Sequence, residues 1–126
     1  METLSIEYTG MTEQTLTARM PVTPAHMQPI GLLHGGATVS LAETVGSAAS
    51  HVFLEDPHHF VAVGQEIAAN HVRSARSGYV HATAVFLHKG RRSHVLEIRV
   101  VDDEGKLISF VKMTNAIVER TSKARS

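Results

Sequence analysis

The sequence predicts an α+β fold, an antiparallel sheet of about six strands wrapped around one long central helix, and three observations lead there. Apolar residues alternate with period two in six stretches. Between the second and third stretches the period lengthens to three or four residues. That single helical stretch is apolar nearly all round, so something must cover it, and a curved sheet is what the rest of the chain supplies.

The first two strands fall at residues 4–8 and 14–20. In the second, Leu16, Ala18 and Met20 point one way and Thr15, Thr17 and Arg19 the other, and Gly10 between the strands reads as a hairpin turn. Residues 21–31, "PVTPAHMQPIG", hold three prolines and end in glycine, so they form a loop. After His34 the helix begins. Val39, Ala42, Gly46, Ala49 and Phe53 recur at helical spacing, and Leu41, Val45, Ala48 and Val52 make the remaining surface apolar. Ser40, Glu43, Thr44, Ser47 and Ser50 form one narrow polar stripe, and the helix stops near Asp56 and Pro57. Strands follow at residues 61–72, 79–88, 94–102 and 107–119, separated by "SARSG", "HKGRR" and "DDEG". Four consecutive strands with short turns predict an antiparallel meander, and its open edges predict dimerisation.

The 126 residues suit one domain, residues 1–126. With 43% apolar and 19% charged residues the composition is that of a globular protein. Twelve basic against 12 acidic residues leave no net field, so neither nucleic acid nor an anionic membrane is an expected partner. The absence of cysteine excludes disulfides, thiolate zinc sites and a cysteine nucleophile. "METLSIEYTG" has no basic region leading into an apolar core, and no apolar run approaches ~18 residues, so the expected location is cytoplasmic.

Glu43 is the exception in the helix, the sole acidic residue between Glu13 and Glu55. On composition alone two readings stand: a carboxylate that reaches solvent or pairs with an arginine, or a functional group. Its surroundings favour the second. "QPIGLLHGGATVSLAETVGSAAS", residues 28–50, and "EIAANHVRSARSG", residues 66–78, resemble the hotdog-fold acyl-CoA thioesterases. Within that family they are similar to the aryl-CoA branch, which includes 1,4-dihydroxy-2-naphthoyl-CoA thioesterase and phenylacetate-pathway enzymes. The HGG motif, a glutamate eight residues after its first glycine and NHVRSAR together carry the likeness.

The resemblance implies hydrolysis of a thioester to a free acid and coenzyme A, with no cofactor beyond the coenzyme A in the substrate and no metal. It implies Glu43 as the catalytic carboxylate and the Gly35 backbone N–H as the group that polarises the thioester carbonyl, with Gln28, His34 and Ser47 in support. His71, Arg73, Ser74 and Arg76 would lie near coenzyme A, joined by Lys89, Gly90 and Arg91. Relatives usually carry a further helix ahead of the first strand; here Met1 leads directly into it, which leaves open what covers the acyl pocket.

These residue types suit that chemistry. Glycines at a helix start let a carbonyl approach backbone donors, while a carboxylate can attack the thioester or activate water. If the helix starts near Gly35, Glu43 lies roughly 12 Å further along at ~1.5 Å per residue, too far for both to reach one carbonyl. A site shared between subunits resolves this, so a homodimer or tetramer is expected. Plainer readings remain beside these: a helix-start His34 satisfied by backbone, Gly35 and Gly36 serving only a turn, Ser47 bonded back to the helix. Gln28, Arg73 and Arg76 read equally as solvated surface. His58 and His59 lack the motif of a metal site, and the other histidines need no special role. Rival functions are proofreading of acyl or aryl carrier proteins and a non-catalytic acyl-CoA binding module.

Overall fold

The computed structural model describes residues 5–23 and 35–120. Its elements run β1 (Glu7–Met11), β2 (Thr15–Pro21), α1 (Gly35–Val52), β3 (Phe60–His71), β4 (Tyr79–Lys89), β5 (Ser93–Asp102) and β6 (Leu107–Glu119). Alternation does what the sequence predicts: Leu16, Ala18 and Met20 of β2, Val80, Ala82 and Ala84 of β4, and Leu96, Ile98 and Val100 of β5 are buried, while their neighbours are partly exposed or exposed. All of these face α1, which contacts β2 through β6.

The helix lays Leu41, Ala42, Val45, Gly46 and Ala49 on that face. Its small residues set the distance. A β-carbon on Gly46 would stand 2.6 Å from Met113 Sδ and 3.4 Å from Ile98 Cδ1, so any side chain there would have to displace Met113 for the helix to stay this close to the sheet.

Three expectations change. The β1–β2 turn is at residues 12–14, where Thr12 N donates to Thr15 O at 3.0 Å; Gly10 lies inside β1, at a bulge where the register slips between Tyr8 and Gly10. A glycine within a strand marks such a bulge as readily as a turn.

The four-strand meander is also corrected. The strand order is β1-β2-β4-β5-β6-β3, so β4, β5 and β6 are consecutive neighbours but β3 pairs with β6 at the far edge. The helix explains this: its 18 residues extend ~27 Å and carry the chain across the sheet before β3 begins. Residues 72–78 then bring it back. Val72 N and Arg73 N donate to Ile108 O, Ala75 is buried, and Val22 N donates to Gly78 O beside β2. A segment so anchored is a crossing and no tight turn.

Finally, α1 is not covered on every side. Gly36 and Glu43 are exposed on its outer face, whereas Ser50, expected on the same polar stripe, is fully buried. Ser50 is covered by His94 of β5 and Asn115 of β6, while Gly36 and Glu43 on the same line lie open. Among the described residues no helix is long and apolar enough to cross a membrane.

Candidate active site

At the start of α1 the backbone meets a histidine. A β-carbon on Gly35 would lie 3.2 Å from His71 Nε2, so the missing side chain is what lets the imidazole rest against the first helical turn. His71 ends β3 opposite Ser109, and its Nδ1 is hydrogen-bonded to Ser109 Oγ at 2.6 Å. Ser109 is fully buried, which fixes the ring and leaves Nε2 toward the helix start. The first N–H groups of a helix find no acceptor within it and carry the positive end of its dipole. Gly35 and His71 thus come together, one expected at the carbonyl and the other beside coenzyme A.

Glu43 lies eight residues along the same helix, on the outer face with Gly36. Among the described residues no hydrogen bond or ion pair engages its carboxylate, so the arginine-paired reading fails within one chain. Ser47, one turn on, is half-buried. Its carbonyl accepts from His51 Nδ1 at 2.9 Å, but its hydroxyl makes no bond back to the helix; that role falls to Thr44, whose Oγ1 donates to Ser40 O at 2.7 Å. Gln28 and His34 lie outside the described residues.

Arg73, Ser74 and Arg76 are exposed on the crossing segment, and neither guanidinium is in an ion pair among the described residues. Lys89, Gly90 and Arg91 sit elsewhere, at the tip of the β4–β5 hairpin. There they line a cavity of about 720 Å³ with Leu54, Phe60, His94 and Ile117. His71 pairs with Ser109 of β6 and Ser93 with Ala116, so the two cationic groups stand about 23 Å apart along that strand at ~3.3 Å per residue. Within one protomer the structure does not bring them together. Neither Gly35 nor Glu43 lines the cavity.

His59 does not stand free for a metal with His58; its Nδ1 bonds the Asp56 carboxylate at 3.0 Å and holds that carboxyl below its ordinary range. One buried polar cluster beside the cavity stands outside the sequence reading. His94, 2% exposed, joins Ser50 Oγ through Nδ1 at 2.9 Å, and Asn115 Nδ2 donates to the same oxygen at 2.7 Å. The signal was available, because His94 shares the inward register of Leu96, Ile98 and Val100.

Comparison with known proteins gives this arrangement a context. A family model described as the thioesterase superfamily matches residues 30–109. The chain is 44% identical over 115 residues to 1,4-dihydroxy-2-naphthoyl-CoA hydrolase of Escherichia coli, covering 91% of this chain and 83% of that one. It is 40% identical over 118 residues to a proofreading thioesterase, EntH, of Cronobacter turicensis, covering 94% and 85%. The crystal structure of a mutant thioesterase from Pseudomonas aeruginosa superposes with a TM-score of 0.90 at 42% identity, over 94% of this chain and 85% of that one.

Proposed function

The chain belongs to the thioesterase superfamily and is a thioester hydrolase of the hotdog fold, and from that premise we propose that it hydrolyses aryl-CoA thioesters in an active site shared between subunits. The observation that carries this reading is Glu43: an exposed carboxylate, without a partner among the described residues, on the open face of a helix whose other face is packed.

The catalytic half of the proposal uses two protomers. Gly35 of one presents its N–H, backed by the helix dipole, to the thioester oxygen, with His71 beside it. Glu43 of another supplies the base or nucleophile, supported by Ser47, with Gln28 and His34 completing the polar surround. In the nucleophilic route a Glu43 oxygen bonds the acyl carbon, the C–S bond breaks and the coenzyme A thiolate leaves to take a proton. Water then cleaves the mixed anhydride, releasing the acid and restoring the carboxylate. In the other route Glu43 takes a proton from the water that attacks directly. Neither route calls on a cofactor or a metal.

Docking of coenzyme A falls to the cations. Arg73 and Arg76, with Ser74, and Lys89, Gly90 and Arg91 of another subunit offer two groups suited to its phosphates, and their separation within one protomer favours a shared site. The free edge of β3, exposed from Val63 to Glu66, is a surface on which a second copy can pair, in a dimer or a tetramer. The aromatic acyl group is favoured by the Escherichia coli relative. A carrier-protein thioester is the second reading, favoured by the Cronobacter relative. We place the enzyme in the cytoplasm.

The test is release of free thiol from a panel of aryl-, phenylacetyl- and fatty acyl-CoA thioesters by wild type and Glu43→Ala. Aryl substrates should turn over fastest, and the variant should lose about a thousandfold in kcat, roughly 4 kcal/mol of barrier. Equal rates for wild type and variant on every substrate would end the proposal.

A further inference from the structure

The geometry points to His94 as a positioning residue for coenzyme A: through Ser50 it ties the cationic β4–β5 hairpin to the last turn of α1 and so sets where Lys89 and Arg91 stand. This rests on the docking role of those two residues proposed above.

The hairpin needs such a tie. The β4–β5 ladder slips register between Phe86 and His88, leaving Leu87 as an extra residue, 57% exposed, just before the tip. Beyond a bulge the strand end is re-aimed, and the ladder alone no longer fixes its direction. What holds it is a chain of contacts back to the helix. His94, the second residue of β5, is 2% exposed and bonds Ser50 Oγ at 2.9 Å, with Ser50 itself fully buried in the final turn. Phe86 meets the His94 ring edge-on, centroids 5.1 Å apart, and meets Phe53 edge-on at 5.7 Å. Lys89 Nζ lies 5.9 Å from the centroids of both Phe53 and Phe86. Gly90 N donates to Ser93 O at 2.9 Å, which closes the tip directly against His94.

Asn115 fixes the direction of the chain. Its Nδ2 donates to Ser50 Oγ, so the serine proton is free to go to His94 Nδ1, and the imidazole proton then sits on Nε2. Burial, reinforced by Lys89 and His88 and opposed by Glu55, pushes His94 below its ordinary range, which keeps the ring in that neutral form. Three buried polar groups thus join α1, β5 and β6 beneath the hairpin through two hydrogen bonds to one serine oxygen, while Asn115 Oδ1 is buried without a partner among the described residues; such buried bonds specify position more than they add stability.

The test separates positioning from folding by comparing two substrates with one acyl group, its coenzyme A thioester and its N-acetylcysteamine thioester, which lacks the phosphates. Ser50→Ala and His94→Leu should raise KM for the coenzyme A thioester about tenfold, with kcat within about twofold and turnover of the short thioester unchanged. His94→Asn, which keeps a polar atom near the position of Nδ1, should restore KM. An unchanged KM, or equal losses on both substrates, overturns the inference. Should His94→Leu fail to fold, Ser50→Ala gives the same reading alone. A Lys89→Ala, Arg91→Ala double variant guards the premise: if it leaves KM for the coenzyme A thioester untouched, the docking role of the hairpin is what fails; if it raises KM while the Ser50 and His94 variants do not, positioning alone fails.

Discussion

Glu43 and Ser50 occupy the same line along one helix and have opposite surroundings. Seven residues separate them, which turns the helix to within about 20° of the same direction. Glu43 is exposed and, among the described residues, without a partner; Ser50 is fully buried and held by His94 and Asn115. The difference comes from the sheet, whose His94 and Asn115 cover the Ser50 position and which leaves Gly36 and Glu43 on that line exposed. Access along this helix is therefore a property of its partners, and the open stretch is where a second subunit and a substrate can reach it.

The largest effect that can break this comparison is on activity. Gly35→Pro, which removes the N–H, and Glu43→Ala should each be nearly inactive alone. Mixed in equal amounts with verified exchange, they should recover about a quarter of wild-type turnover, since half the dimers are mixed and each of those has one intact site. No recovery would put both groups in one chain's site and remove the reason for the open stretch.

A second effect is on stability. Leucine at position 50 must be forced between α1, β5 and β6, and should cost about 2 kcal/mol in chemical unfolding, whereas leucine at position 43 should stay within about 0.5 kcal/mol of wild type. Equal costs would mean that the two positions are equally enclosed. The smallest effect is on pH dependence. His94 is held below its ordinary value of 6.5 chiefly by burial, so the unfolded chain takes up this proton first. Its contribution is complete above 6.5 and is lost as pH falls through the lowered folded value. Asp56 and Asp103, held below 3.8 by His59 and His81, titrate under this window. The thermal midpoint should fall between pH 7.5 and 5.5, and His94→Asn should flatten that fall; an unaltered slope would show that the closed end does not titrate.

The sequence made the helix and most strand bounds legible because burial on one face writes a period into the residues, as at Leu96, Ile98 and Val100. Strand neighbours leave no such period. Nothing in "SARSG" distinguishes a tight turn from a crossing anchored by Ala75, so β3 was expected beside β4 when it lies beside β6. Gly35 and Glu43 stood out because glycines at a helix start and an isolated acid are compositional anomalies. Ser50, His94 and Asn115 did not, since each is ordinary alone and their meeting depends on how far the sheet curls. Arg73 and Lys89 share a charge, and charge says nothing of the strand length between them.

The long free edge of β3 has a consequence for the life of the chain in a cell. From the ribosome onward each copy carries a 12-residue strand that, among the described residues, has no neighbour on one side, and the edge proposed to take a second copy is open to any other extended segment. Crowded synthesis therefore sets finding the right partner against aggregation. Under the proposed shared site, copies that pair wrongly would be lost as enzymes as well as misassembled.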